Sequence, residues 1–350
     1  MRIAVTADLH LRESNPERLQ NLEILVETLV SEGIGVLVIA GDLFDTADGS
    51  YGRLDALAER FQRMQLLIVP GNHDASLRPA MFGSANIQVF TQPTLKRIGG
   101  RLFLFLPYRE GSTMGETITA LRETERLKAH PWILVSHGDF SAPRPLQSGG
   151  ERGYFPLTRD DLARFQPARA ILGHIHAPNA VTESVVYPGS PYPVTSDEYG
   201  RRRVLILDTG SAAISELPLE HAPELVRAEI FLIPDGREQE QISAQLLRIL
   251  EEPGSRSGKH GGERIVRVIL KGYTGSRRGL KSFVEKVLAA RSVRCGGVDL
   301  ETLRISDEQR LAAVAQNVRQ KVDRLELDYQ GSEELRRTVL ERALEMLYGA

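Results

Sequence analysis

Five of the chain's eight histidines stand in short polar strings with three aspartates and an asparagine. The strings are Asp8-Leu9-His10, Gly41-Asp42, Gly71-Asn72-His73-Asp74, Ser136-His137-Gly138 and Gly173-His174-Ile175-His176. Imidazole, carboxylate and amide donors without thiolate suit Mn, Fe, Zn or Co better than calcium. On an extended segment alternate side chains leave the backbone on one side, so Asp8 with His10, and His174 with His176, can reach toward one site. The flanking glycines permit unusual backbone conformations and close approach of a ligand. A single His or Asp at a strand end is ordinarily a cap or a satisfied polar group. Five such strings, each directly after an apolar run, are poorly explained as five independent caps and point to a metal site.

The elements that must position them follow from the apolar pattern. Ile3-Ala4-Val5, Val36-Leu37-Val38-Ile39 and Leu66-Leu67-Ile68-Val69 read as buried strands. Between the first two, Leu19, Leu22, Leu25, Leu29 and Val30 recur at helical spacing, with Asn15 as cap and Pro16 in the first turn. A second helical stretch runs from Leu54 to Met64. Alternating all-apolar strands and helices predict an α/β sheet covered on both faces. Polar groups at its strand ends converge on one edge, where such folds bind ligands. Later runs at 98–106, 132–135, 168–172, 181–187 and 204–207, with turns at Gly99-Gly100 and Thr209-Gly210, predict antiparallel strands or a second sheet packed on the first. Trp132 falls in a core strand.

The chain has 350 residues, a net charge of -2 and 41% hydrophobic residues, the profile of an ordinary globular protein of one or two domains. One cysteine, Cys295, excludes a disulfide framework or a Cys-rich metal site, and it reads as structural or incidental. No run reaches membrane-spanning length, and the N-terminal apolar stretch is broken by Asp8, a buried strand rather than a signal peptide. A cytoplasmic location is expected.

A break near His221-Ala222-Pro223 opens a new unit: strand 226–233, helix 239–250, strand 264–270, helix 280–290, with a Gly- and Ser-rich loop at 253–262. Residues 251–290 carry nine Lys or Arg against four acids, the most basic stretch of the chain, and Arg277, Arg278 and Lys281 within it are candidate phosphate contacts. Such a surface suits phosphate neutralisation, and a solvated face explains it equally well. Arg201-Arg202-Arg203 reads as a solvated turn, and His130, His221 and His260 as surface residues. From Ser306 two amphipathic helices fit, divided near Gly331. Leu311, Val314, Val318, Val322 and Leu325 mark the first, and Leu335, Val339, Leu340, Ala343, Leu344 and Leu347 the second.

Taken in order, DLH, GDLFD, GNHD, the lone His137 and GHIH resemble the five signature blocks of the calcineurin-like metallophosphoesterases. Within that superfamily the chain most resembles the bacterial SbcD-type DNA repair nucleases, counterparts of the Mre-eleven nucleases. Tyr187-Pro188-Gly189-Ser190-Pro191 resembles a further landmark, and the unit after residue 225 resembles their capping domain. The resemblance implies a four-layered α/β sandwich with a small α/β cap and a helical C-terminal tail. Its domains would be 1–222 (metallophosphoesterase, nuclease), 223–304 (capping, DNA-binding) and 305–350 (helical, partner-binding).

The resemblance also implies two divalent ions, expected to be Mn²⁺, bridged by Asp42. One would be held by Asp8, His10, Asp42 and His176, the other by Asp42, Asn72, His137 and His174. His73 would contact the scissile phosphate and protonate the leaving group, oriented by Asp74. A carboxylate can bridge cations roughly 3.5–4 Å apart, and such a pair clamps attacking and leaving oxygens. The implied activity is DNA exonuclease action in repair, with single-strand endonuclease action. The implied partners are DNA and an SMC-like ATPase of the SbcC type, and a homodimer is open. Leu340, Leu344 and Leu347 would form the apolar stripe that docks on that ATPase. The chain departs from the nuclease pattern at Leu11-Arg12, where Leu-Gly is common, at Asp45, where archaeal members have histidine, and in the loop after Asp45, which lacks a common proline. A small-nucleotide or cyclic-nucleotide phosphodiesterase is the rival enzyme. A non-catalytic scaffold is the rival outside enzymes, and the intact ligand strings argue against it.

Overall fold

A computed structural model describes residues 1–45, 50–122, 127, 130–141, 153–251, 262–306, 311–325 and 332–348. The chain divides into two compact units, Met1–Ala222 and Pro223–Ala350. Among the described residues no helix is long and apolar enough to cross a membrane.

The first unit begins β1 (Arg2–Thr6), α1 (Pro16–Ser31), β2 (Val36–Ala40), α2 (Tyr51–Arg60), β3 (Gln65–Val69), β4 (Ile87–Val89), β5 (Thr94–Ile98) and β6 (Arg101–Leu106). It continues α3 (Met114–Thr119), β7 (Trp132–His137), β8 (Phe140–Ser141), β9 (Leu157–Thr158), α4 (Arg159–Phe165), β10 (Arg169–Gly173), β11 (Asn179–Ala180), β12 (Val185–Tyr187), β13 (Arg203–Asp208) and β14 (Ile214–Pro218). Two six-stranded sheets result, ordered β14-β13-β1-β2-β3-β4 and β11-β12-β10-β7-β6-β5.

β1 to β4 run parallel, and β13 closes antiparallel on β1. In the second sheet β6, β7, β10 and β12 are parallel. Gly99 and Gly100 take positive φ and turn β5 back onto β6. Three apolar clusters make four layers. One packs Leu22, Leu25 and Leu29 of α1 and Leu54 of α2 on the first sheet. A second joins the sheets through Val5, Val38, Phe103, Ile133 and Ile171. A third packs α3 and α4 on the second sheet around Trp132, which is fully buried and donates Nε1–H to the Phe165 carbonyl. Strands buried on both faces explain the unbroken apolar runs. Asn15 occupies the cap position of α1, but its side chain caps nothing there.

The second unit holds β15 (Glu224–Leu232), α5 (Glu238–Glu251), β16 (Arg264–Thr274), α6 (Leu280–Ala289), β17 (Arg294–Asp299), β18 (Leu303–Ile305), α7 (Ala312–Asp323) and α8 (Ser332–Tyr348). β15, β17 and β18 all pair parallel with β16. α5 and α6 bury one face of this sheet through Ile242, Leu246, Val284 and Leu288. The apolar pattern does not announce β17 and β18, because Gly296-Gly297 interrupts the first and the second is three residues long. Cys295 sits half-buried against this core.

The tail differs from expectation. Leu340 and Leu344 are buried with Phe231, Ile233 and Tyr273 of the sheet and Ala315 and Val322 of α7, and Leu347 packs beside them. The predicted docking stripe is therefore part of this unit's own core. The apolar residues that α8 leaves exposed are Leu335, Val339 and Met346. The division expected near Gly331, and most of the loop expected at 253–262 with Arg256, Lys259 and His260, lie outside the described residues.

Candidate metal centre

The five polar strings follow β1, β2, β3, β7 and β10, at the carboxyl ends of parallel strands from both sheets of the first unit. Four of their non-glycine residues, Asp8, His10, Asp42 and His174, have positive φ. Such non-glycine conformations cost about 1–3 kcal/mol each and cluster where a side chain must be aimed. Two glycines make room for the ligands. A Cβ on Gly41 would fall 2.0 Å from Nδ1 of His137, and one on Gly71 would fall 2.2 Å from Oδ1 of Asp42.

Asp8, His10 and His176 bring one donor atom each into a common space. Nε2 of His10 lies 3.1 Å from Nε2 of His176. Each ring's other nitrogen is committed: Nδ1 of His10 meets Oδ1 of Asp45 at 3.2 Å, and Nδ1 of His176 meets Oε1 of Glu198 at 2.7 Å. A carboxylate accepts, so both Nδ1 atoms carry the proton and both Nε2 atoms present lone pairs to one point. Asp8 is fully buried and accepts the His174 backbone N–H at 3.0 and 3.2 Å. Burial pushes its carboxyl up to about 6 against the pull of His137 and His176, and burial drops His10 to about 4.

Asp8, Asp42 and His137 form a second such group. Nδ1 of His137 donates to the Ala40 carbonyl at 3.0 Å, leaving Nε2 2.9 Å from Oδ1 of Asn72 and 3.2 Å from Oδ2 of Asp42. Burial opposes charge on both partners. Their mutual hydrogen bond, charge attraction and backbone hydrogen bonds together outweigh it, holding Asp42 down to about 2 and lifting His137 to about 9. Oδ1 of Asp42 accepts the His73 backbone N–H at 2.9 Å, and Oδ2 is also 3.8 Å from Nε2 of His10. Asp42 thus stands between the two groups. A divalent cation bound in either group would take the place of the proton that His137 and Asp42 share and would draw on the lone pairs of His10 and His176, and the donor set of imidazoles, carboxylates and an amide fits such ions.

His73 is 44% exposed at the mouth of the centre, beside His10 and Asp42. Its Nδ1 donates to the Asp45 carbonyl at 3.2 Å. Asp74 does not orient it, contrary to expectation. The Asp74 carboxylate is buried and accepts N–H groups from Gly71 and Phe44, so it shapes the loop, and burial with the nearby Asp42 charge lifts it to about 6. His174 stands apart from the tight groups. Its Nε2 faces Oδ1 of Asp139 at 3.6 Å and its ring lies against Tyr154.

Sequence reading missed several residues that hold the centre. Buried Arg18 donates from α1 to the His10 and Val194 carbonyls, and Tyr192 donates to the Leu9 carbonyl. Arg202 is buried rather than part of a solvated turn, and donates to the His176 carbonyl at 3.0 Å. No periodicity marks buried polar groups on loops. For Tyr192 and Arg202, nearness to the Tyr187–Pro191 string was the available signal; for Arg18 there was none.

In the second unit Arg277 donates to the Leu303 carbonyl and half-buried Lys271 pairs with Glu229; Arg277, Arg278 and Lys281 are all exposed.

A four-layered α/β sandwich whose strand ends gather His and carboxylate groups linked through Asp8 and Asp42 defines a metal-dependent hydrolase. Residues 1–178 match the calcineurin-like phosphoesterase family, and the chain belongs to that family, which works with divalent metal ions. It is similar to the SbcD component of the nuclease SbcCD from Escherichia coli strain K12, 26% identical over 265 residues that cover 60% of this chain and 65% of that one. The SbcD component of the nuclease SbcCD from Rhodobacter capsulatus is 27% identical over 292 residues, covering 65% of this chain and 71% of its own. The uncharacterized metallophosphoesterase YhaO of Bacillus subtilis is 25% identical over 267 residues, covering 71% and 62%. The chain spans less than two thirds of the length of the E. coli relative.

Proposed function

We propose that this chain is a manganese-dependent DNA nuclease of the cytoplasm, an exonuclease that also cuts single strands internally, working in DNA repair. The observation that carries the hydrolytic part is the opposition of the His10 and His176 Nε2 atoms beside an aspartate shared with His137. The DNA part is supported by similarity to two proteins named as nuclease components.

Asp8, His10, Asp42 and His176 would hold one ion, and Asp42, Asn72 and His137 the other, with His174 completing it by turning from Asp139. Two bound cations supply Lewis acidity, which stabilises charge on the phosphoryl oxygens and activates the attacking water. The chain's own groups do the rest. Asp8, Asp42 and the rings bound to Asp45, Glu198 and Ala40 fix the donor geometry before substrate arrives. His73, with Nδ1 anchored on the Asp45 carbonyl, turns Nε2 to the substrate and as imidazolium gives its proton to the leaving oxygen. Arg278 and Lys281 would contact DNA phosphates, with Arg277 holding their loop.

An SMC-like ATPase of the SbcC type would be the partner. The exposed Leu335, Val339 and Met346 of α8 suit a helix-to-helix contact, since Leu340 and Leu344 are spent inside the unit. A small-nucleotide phosphodiesterase is the second reading, favoured by the commitment of Arg277 and Lys271 to internal contacts. Purified protein with Mn²⁺, given labelled linear DNA and bis-(p-nitrophenyl) phosphate side by side, separates the two. Degradation of DNA supports the nuclease, and turnover of the small diester alone supports its rival.

A further inference from the structure

Glu198 lies in the loop between β12 and β13, outside every string that marked the metal centre. Its Oε1 accepts Nδ1–H of His176 at 2.7 Å. The carboxylate is itself held on several sides. Backbone N–H groups of Val194 and Thr195 donate to it at 2.9 and 3.1 Å, and the Thr195 and Ser190 hydroxyls at 2.9 and 3.2 Å. Arg202 pairs with Oε2 at 3.3 Å and also donates to the carbonyls of His176 and Glu198. Arg202 is 2% exposed. A carboxylate so restrained cannot follow the ring if the ring turns. The ring must instead stay where the carboxylate is.

We infer that Glu198, clamped by Arg202 and its own turn, is the positioning residue of the metal centre: it fixes the orientation of His176 and keeps the proton on Nδ1, so that Nε2 is delivered as a ligand opposite Nε2 of His10. This rests on the reading of His176 as a ligand. A ligating histidine held through its other nitrogen is a stronger and better aimed donor, and loss of such a partner typically costs about 10- to 100-fold in metal affinity. Glu198 holds the Nδ1–H of His176 as the Ala40 carbonyl holds that of His137, but with a charged acceptor.

The test is Mn²⁺ titration calorimetry on the full chain, with Co²⁺ absorption as a second probe. Glu198→Ala should weaken one of two sites about 10- to 100-fold and leave the other close to wild type. Glu198→Gln, which keeps an acceptor oxygen toward Nδ1, should recover most of the loss. In a His176→Ala background, Glu198→Ala should cost nothing further, because the residue acts through that ring. Undiminished affinity in Glu198→Ala, or an equal further loss in the His176→Ala background, overturns the inference. A measurement without variants guards against misfolding: long-range ¹H–¹⁵N spectra of the metal-free protein at alkaline pH should place the neutral His176 proton on Nδ1. A proton on Nε2 sinks the idea. If the wild type binds Mn²⁺ but cuts no DNA, the nuclease reading fails while these affinities remain decisive for Glu198. If the wild type binds no divalent ion, the metal reading itself fails.

Discussion

The Nε2 atoms of His10 and His176 face each other across 3.1 Å, although 166 residues separate them in the chain. With both Nδ1 protons committed to carboxylates, neither ring can donate to the other. On the proposed reading, the pair would seat a cation.

Chelation should therefore abolish hydrolysis, and Mn²⁺ should restore it better than Mg²⁺, because imidazole donors suit softer ions than magnesium. Activity of dialysed protein in excess EDTA, followed by add-back of each ion, checks this. Full activity in EDTA would rule the centre out.

Asp42 and His73 should separate cleanly. Asp42→Ala removes the carboxylate between the two donor groups and should lose bound metal. His73→Ala should keep its metal and lose at least about 10²-fold in turnover, the usual scale for a proton donor. Metal content by mass spectrometry beside kcat on each variant decides, and a metal-free His73→Ala would make His73 a ligand.

The second unit should carry an acid-labile latch at Asp235. Its carboxylate accepts the Arg237 N–H at 2.9 Å and the side chains of Gln241 at 2.7 Å and Gln316 at 2.9 Å, tying β15 to α5 and α7. Burial pushes its pKa up, and these hydrogen bonds override it, so the folded value lies below the ordinary 3.8. A depressed carboxylate stabilises the fold above the unfolded value and loses that contribution as pH falls through the folded one. Asp235→Asn should lower stability by about 1 kcal/mol near neutrality and flatten the acid limb. Thermal melts at neutral pH and across the acid range, on both proteins, measure it. Parallel acid limbs would contradict it.

Leu344 and Met346 should behave oppositely despite lying two residues apart. Leu344 is 1% exposed in the cluster with Tyr273, and Met346 is 77% exposed. Leu344→Ala should cost about 2–5 kcal/mol. Met346→Glu should leave the melting temperature nearly unchanged while weakening capture of an SMC-like ATPase partner. Removal of residues 306–350 should destabilise the second unit, since Phe231 and Ile233 lose their cover. A truncated chain that melts like the whole would refute this packing.

Reversing Arg278 and Lys281 to Glu should weaken DNA binding and reduce its salt dependence by roughly one in slope for each phosphate no longer neutralised. Hydrolysis of a small chromogenic diester should survive. Equal DNA affinity in the variant would leave the two as a solvated face.

Much of the first unit was legible because its strands are buried on both faces: Val36–Ile39 and Leu66–Val69 can be little else, and each ends in a string with ligand chemistry. The gathering of Asp8, His10, Asp42, His137 and His176 followed from that. The role given to Asp74 did not, because adjacency to His73 says nothing of which way a carboxylate points, and Asp45 reaches His73 through its backbone. Glu198 and Arg202 lay in a polar loop where no spacing rule applies. In the tail the helices were plain, but Leu340 and Leu344 read the same whether they face their own sheet or a partner. Tyr273 and Phe231, which decide it, arrive only with tertiary structure.

The donors of the centre come from two stacked sheets, with β1, β2 and β3 in one and β7 and β10 in the other. A chain still emerging from the ribosome holds half a centre at most, and so does one whose sheets have parted under heat or denaturant. Hydrolytic power would thus be withheld from nascent and damaged copies alike. Bound metal, for the same reason, reports that the sandwich has closed.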